Sequence, residues 1–91
     1  MDELVSFQIL VRGQVQGVGF RYFARQRAEI HGVRGFVRNL ADGGVEVRAE
    51  GAASAMSAFE ADIRTGPQFG RVEAADVIPT KARGFEEFEI R

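Results

Sequence analysis

Five segments of the chain have the character of β-strands, and most of them alternate between apolar and polar residues. A period of two is typical of a strand with one buried face. The third segment is the most regular, because its small apolar residues alternate with charged residues that we expect to face solvent, Glu46, Arg48 and Glu50. The predicted strands cover residues 4–12, 33–40, 45–50, 71–78 and 85–91.

Two other segments place apolar residues three and four positions apart, which predicts helices with one buried face. The first runs from Phe20 to His31 and the second from Ala52 to Arg64. Each is followed closely by a glycine, which commonly ends a helix. The apolar stripes consist of Phe20, Phe23, Ala24 and Ala28 in the first helix and of Ala52, Met56, Phe59 and Ile63 in the second.

The order of these elements predicts an α+β fold of the ferredoxin-like βαββαβ type. Right-handed crossovers would place both helices on one face of an antiparallel sheet. Residues 85–91 would add a short extra C-terminal strand. No repeat or linker divides the sequence, so we expect one domain over residues 1–91. The fold does not specify an activity, because one fold hosts many functions.

The composition leaves few kinds of reactive site. The absence of cysteine excludes thiolate ligands and disulfides, and no His, Asp and Glu set has the spacing of a metal site. His31 is the only histidine, and no serine or threonine has an evident base partner. The N-terminal segment MDELVSF does not resemble a signal peptide, and no apolar run could span a bilayer. We therefore expect a cytoplasmic protein that has no metal site and no membrane-spanning segment.

The segment RGQVQGVGFR, from Arg12 to Arg21, lies between the first strand and the first helix. A glycine-rich loop that leads into a helix can turn several backbone N–H groups toward one anion. Arg21 would add a planar set of donors that suits phosphate oxygens. Residues 1–40 carry six arginines against three acids, whereas the rest has six basic and ten acidic residues. This asymmetry favours a small anionic ligand near the loop, although the glycines could also serve only a tight turn.

Asn39 ends the strand-like segment GFVRN, although asparagine is unfavourable inside strands. One interpretation is that Asn39 begins the turn formed by residues 41–44. The other is functional, because a neutral amide can both donate to and accept from a water molecule. Beside a bound phosphate, such a side chain could hold a water for attack.

The glycine-rich segment and the segment that begins with GFVRN resemble the two signatures of the acylphosphatase family, and the spacing matches at every motif position. The first signature corresponds to Gly13, Val15-Gln16-Gly17-Val18 and Phe20-Arg21. The second corresponds to Gly35-Phe36-Val37-Arg38-Asn39, followed by Gly43, Val45 and Gly51. The similarity continues through the Gly66-Pro67 turn to the C-terminal residues 88–91, so it covers nearly the whole chain.

The resemblance implies hydrolysis of acyl phosphates to a carboxylate and inorganic phosphate, with phosphate also a competitive ligand. By position, Arg21 matches the family's phosphate-binding arginine, and Asn39 matches the asparagine that orients the attacking water. The family's phosphate cradle corresponds to the backbone N–H groups of Val15, Gln16, Gly17, Val18, Gly19 and Phe20. Family members need no metal or other cofactor and form no phosphoenzyme. We expect a monomer whose partner is a small acyl phosphate.

Two functions from other classes fit the same order of elements. An RNA-recognition module shares the fold, but it needs exposed aromatic residues on its central strands. The third strand, VEVRAE, has none, and the isoelectric point near 5.8 also argues against nucleic acid. The second alternative is a regulatory domain that binds a small molecule without catalysis. The joint presence of Arg21 and Asn39 at the family's spacing argues against that alternative.

Overall fold

The computed structural model describes residues 3–91. Its elements are β1 (Leu4–Gln14), α1 (Phe20–His31), β2 (Arg34–Asn39), β3 (Val45–Ala52), α2 (Ala53–Thr65), β4 (Arg71–Pro79) and β5 (Phe88–Ile90). The order confirms the predicted ferredoxin-like α+β fold. The bounds of both helices lie within one residue of the predicted ones.

The five strands form one sheet in the order β4-β1-β3-β2-β5. The pairs β1–β3, β1–β4 and β2–β3 are antiparallel, as expected. β5 differs, because it pairs parallel with β2 and makes the sheet mixed. The chain leaves β4 at the end of the sheet where β1 and β2 begin, since Pro79 pairs with Phe7. It enters β5 from that same end, so β5 must run in the direction of β2.

The helices pack against one face of the sheet and against each other. The residues predicted to face the sheet are largely buried, and they join the alternate residues of β1 and β3 in one apolar cluster. The buried members of the two helix stripes are Phe20, Ala24, Ala28, Met56, Phe59 and Ile63. Helical spacing therefore identified the core face of both helices correctly.

The other face of the sheet contains two buried carboxylates, Glu46 and Glu50, which are only 7% and 1% exposed. The expectation that these side chains face solvent is therefore wrong. The carboxylate of Glu50 accepts hydrogen bonds from the backbone N–H groups of Arg83, Gly84 and Phe85. These donors lie 33 to 35 positions further along the chain. Local alternation contains no information about such a distant segment.

Glu50 holds the segment that connects β4 to β5. Burial by itself would raise the pKa of the Glu50 carboxyl, but the three N–H donors outweigh burial and hold the pKa below 4.5. The ionised form is thus the one that the fold stabilises. By fixing the residues just before β5, this carboxylate helps to set where β5 joins the sheet.

β1 extends beyond its predicted end at Arg12 and includes Gly13, which we expected in the loop. The pairing of β1 with β4 is irregular between Arg12 and Gly13. Gly13 has φ of 129°, and a Cβ atom there would lie 2.2 Å from the main-chain oxygen of Arg71. Only glycine allows β4 to approach this closely. The loop between β1 and α1 is consequently confined to residues 15–19.

We predict that Glu50→Ala lowers the free energy of unfolding by about 1–3 kcal/mol, because it leaves buried N–H donors without their acceptor. The pKa of Glu50 is depressed in the folded state, so its stabilisation is present above the unfolded pKa near 4.5 and is lost as the pH falls through the folded pKa. Urea unfolding between neutral and acidic pH would measure both effects. Equal acid sensitivity of the wild type and Glu50→Gln would contradict this role.

Candidate active site

The pairing of the strands brings three chain segments to one end of the sheet. β1 and β2 both run antiparallel to β3, so they run parallel to each other and end on the same side. Val45, at the start of β3, pairs with Val11 on one side and with Asn39 on the other. β5 runs in the same direction as β2, which places Ile90 at this end too. The loop of residues 15–19 follows β1 here and leads into α1.

The loop enters α1 through two glycines with left-handed backbone conformations. Gly17 and Gly19 have φ of 75° and 77°, and Gly19 is the N-cap of α1. A Cβ atom at either position would meet no atom within 4 Å, so conformation and not space requires glycine there. No side chain caps this helix end, and its first turn contains no acidic residue. Its N–H groups and positive dipole end are therefore available to an anion.

A cleft of about 220 Å³ opens at this end of the sheet. Its walls include Arg21 and Asn39, the two side chains that the sequence had singled out. The cleft is lined by Val15, Gly17, Gly19, Phe20, Arg21, Tyr22, Asn39 and Ile90. Sequence reasoning missed Tyr22 and Ile90. The adjacency of Tyr22 to Arg21 was an available signal, whereas Ile90 reaches the cleft only through the parallel pairing of β5.

Arg21 is partly buried, and its Nη1 donates a hydrogen bond of 3.2 Å to the main-chain oxygen of Arg91. Arg91 is itself held, because its N–H donates to the Val37 oxygen at 2.8 Å and its guanidinium lies 4.1 Å from the Phe36 ring centroid. Within residues 3–91, Arg21 forms no ion pair with an Asp or Glu side chain. Most of its donors are thus free to bind an anion in the cleft.

Asn39 is the last residue of β2, and its side chain is exposed. The turn that follows is closed by other groups. The Leu40 N–H donates to the Gly44 oxygen at 2.8 Å, and the Gly44 N–H donates to the Asp42 carboxylate at 2.9 Å. In the described part of the chain, the side-chain amide of Asn39 makes no hydrogen bond. The idea that Asn39 serves to begin the turn therefore gains no support from the turn's hydrogen bonds.

Two residues of the expected cradle, Gln16 and Val18, do not line the cleft. The side chain of Val18 packs against the apolar core. The side chain of Gln16 extends toward the turn after β2, where its Nε2 donates to the main-chain oxygens of Leu40 and Gly44, both at 2.8 Å. A second link to this turn joins Arg12 to the Asp42 carboxylate at 2.9 Å.

Asp42 has a lowered pKa, chiefly because the Gly44 N–H and then the Arg12 guanidinium donate hydrogen bonds to its carboxylate. The carboxylate is therefore ionised at neutral pH. This negative charge faces Arg12 and the turn, and it is not a member of the cleft lining.

His31 lies at the C-terminal end of α1, opposite the end that borders the cleft. Its Nε2 is 2.7 Å from the Asp62 carboxylate of α2, which Arg27 also contacts at 2.7 Å. Among residues 3–91, no three His, Cys, Asp or Glu side chains are grouped so that they could hold a metal ion. Within the same residues, neither helix combines the length and apolar character required to cross a membrane.

Comparison with known proteins identifies the family. The acylphosphatase family model matches residues 7–90. The chain is 43% identical to the acylphosphatase of Bacillus licheniformis over 88 residues, covering 96% of this chain and 98% of that protein. It is 43% identical to the acylphosphatase of Thermus thermophilus over 90 residues, covering 99% of each. The chain belongs to the acylphosphatase family.

Solved structures agree with this assignment. The crystal structure of acylphosphatase from Bacillus subtilis superposes with a TM-score of 0.93 at 37% identity and covers 98% of this chain and 99% of that chain. An acylphosphatase structure from Coxiella burnetii superposes with a TM-score of 0.92 at 28% identity, over 97% of this chain and 93% of that chain. The arrangement of the strand ends that form the cleft is thus shared with these proteins as part of the fold.

We predict that Gly19→Ala destabilises the protein by about 1–2 kcal/mol, because an alanine must adopt the left-handed conformation at the helix N-cap. Gly19→Asn is the matched control, since asparagine tolerates this conformation better than alanine does. The free energies of unfolding in urea would test the difference. If both variants lost the same stability, the cause would not be backbone conformation.

Proposed function

We propose that this member of the acylphosphatase family hydrolyses acyl phosphates to a carboxylate and inorganic phosphate. The observation that carries the proposal is the joint lining of one cleft by Arg21, Asn39 and the uncapped start of α1. Within residues 3–91, Arg21 has no Asp or Glu partner and the side chain of Asn39 has no hydrogen-bond partner, so both side chains can act on a ligand. The match to proteins named acylphosphatase supports the same conclusion.

We infer that the backbone N–H groups of residues 15–20 bind the phosphoryl oxygens together with Arg21. Two left-handed glycines in this loop support the proposal, because that conformation allows successive N–H groups to converge. The positive dipole end of α1 adds to the attraction. Charge that develops on the transferring phosphoryl group would be stabilised by donors that are already in place. Inorganic phosphate should therefore be a competitive ligand as well as the product.

We propose that Asn39 holds the attacking water in line with the bond that breaks. The water oxygen bonds to phosphorus as the bond between phosphorus and the acyl oxygen breaks, and the carboxylate departs with the electron pair. A carboxylate is a good leaving group, so a strong general acid is not required. Asparagine is not basic at neutral pH, and we assign the water's proton to an oxygen of the phosphoryl group itself. No phosphoenzyme forms in this scheme.

The proposed reaction needs no metal, because Arg21 and the loop N–H groups supply the stabilisation of negative charge. Hydrolysis should therefore continue in excess chelator. All of the proposed groups belong to one chain, which favours action as a monomer on a small acyl phosphate. The expected cytoplasmic location stays a prediction.

We expect Arg21→Ala to lower kcat/KM for benzoyl phosphate on the order of 100- to 1,000-fold, because it removes a charged donor from the transition state. Arg21→Lys should also lose most activity, since an ammonium is a point charge and cannot bind two oxygens as a planar fork. Steady-state kinetics on folded variants would test this. Near-normal activity of Arg21→Lys would contradict the proposed role.

We expect Asn39→Ala to lower kcat on the order of 100-fold, because the water loses its fixed position. The inhibition constant of inorganic phosphate should stay close to that of the wild type, since the loop N–H groups and Arg21 are unchanged. Inhibition kinetics with benzoyl phosphate would measure both quantities. If phosphate inhibition disappeared together with turnover in the folded variant, Asn39 would be a binding group and not the holder of the water.

A further inference from the structure

We propose that Gln16 is a positioning residue, whose side chain holds the loop of residues 15–19 at a fixed position relative to Asn39. This inference rests on the proposed function. It concerns the amide side chain of Gln16, whereas the proposed phosphate contact of Gln16 uses its backbone N–H group. The side chain does not line the cleft and would act through the two elements that it joins.

The contacts of Gln16 carry the proposal. Its Nε2 donates at 2.8 Å to the oxygen of Leu40 and at 2.8 Å to the oxygen of Gly44. Those two residues close the turn after β2, because the Leu40 N–H also donates to the Gly44 oxygen at 2.8 Å. Leu40 directly follows Asn39 in the chain. Both N–H groups of the Gln16 side-chain amide thus donate to the main chain of the turn that follows Asn39.

The topology explains why such a link is needed. The loop of residues 15–19 follows β1, and Asn39 ends β2, but β3 lies between these two strands. The axes of β1 and β2 are therefore about 10 Å apart, which is twice the spacing of paired strands. No backbone hydrogen bond of the sheet connects β1 directly to β2. Gln16 spans this gap at the end of the sheet, beyond the last paired residues.

The proposed reaction is sensitive to the distance between the loop of residues 15–19 and Asn39. The loop would fix the phosphorus atom, while Asn39 would fix the water that must approach it in line. A displacement of about 1 Å between reacting groups can cost on the order of 100-fold in rate. The ion pair of Arg12 with Asp42 also reaches the turn, but both side chains are about half exposed. Exposed ion pairs are weak and do not fix geometry well.

The side chain of Gln16 is exposed, so burial does not explain why it is held in one position. A free glutamine on a surface would keep its rotamer entropy and bond to water. Two short hydrogen bonds to acceptors on a separate segment instead fix it in one position. The same sequence offers a matched control in Gln14, whose side chain is also exposed and makes no hydrogen bond in the described part of the chain.

The first test compares Gln16→Met with Gln14→Met in the hydrolysis of benzoyl phosphate. Methionine keeps the length of glutamine but cannot donate hydrogen bonds. We expect Gln16→Met to lower kcat on the order of 10- to 100-fold, while the inhibition constant of inorganic phosphate changes less than about threefold because the loop N–H groups and Arg21 remain. Gln14→Met should behave as the wild type does. A fall in kcat matched by an equal loss of phosphate affinity would overturn the positioning role.

The second test restores a donor by pH within one variant. In Gln16→Glu, an ionised carboxylate would face two carbonyl oxygens and be repelled, whereas the protonated acid has one O–H to donate. We expect kcat of Gln16→Glu divided by kcat of Gln16→Met to rise several-fold as the pH falls from about 7 to about 4.5, near the usual pKa of a glutamate. The ratio removes effects of pH on the substrate. A flat ratio between two folded variants would contradict the proposal.

The two proposals fail in different ways. An inactive wild type that is folded would refute the proposed function itself. An active wild type together with a fully active Gln16→Met would refute only the role of the Gln16 side chain. A lower melting temperature of Gln16→Met with unchanged kcat at a temperature where it is folded would show that the link is structural alone, and this result would also overturn the inference.

Discussion

The position of β3 between β1 and β2 is the constraint on which the rest of the structure depends. Antiparallel pairing on both sides of β3 forces β1 and β2 to run in the same direction. Their last residues therefore lie at the same end of the sheet, although β3 separates the two strands. The loop before α1 and the side chain of Asn39 become neighbours through this topology. The Gln16 side chain then connects them across the width of β3.

The electrostatics of the cleft follow from which charges are left unpaired. Five other arginines make ion pairs with carboxylates within the described residues: Arg12, Arg27, Arg38, Arg64 and Arg91. Arg21 instead contacts only a main-chain oxygen, that of Arg91. Such a contact orients the guanidinium. The Arg21 guanidinium and the uncapped start of α1 both favour an anion in the cleft, in a protein whose net charge is −1.

Patterns that depend on near neighbours were predicted well from the sequence. Alternation and helical spacing gave the elements and the buried helix faces, and the two motif segments contain the residues of the cleft lining other than Tyr22 and Ile90. Interactions that depend on distant segments were missed. Glu50 is buried because residues 83–85 return to it, and Ile90 reaches the cleft because β5 joins β2 in parallel. We expected Gly13 in the loop because the sequence does not show that the main chain of Arg71 lies against it. That close approach is the reason why β1 needs glycine at this position.

The most direct test of phosphate binding by the loop is a titration of the ¹⁵N-labelled protein with inorganic phosphate at constant ionic strength, in which the chemical shifts of the backbone amides are measured. We predict saturable shifts that are concentrated in residues 15–20 and reduced in Arg21→Ala. The amides of residues 83–85 provide an internal control, because their N–H groups already donate to Glu50. Saturable shifts centred elsewhere, or no shift at residues 15–20, would contradict the proposal that this loop binds the phosphoryl group.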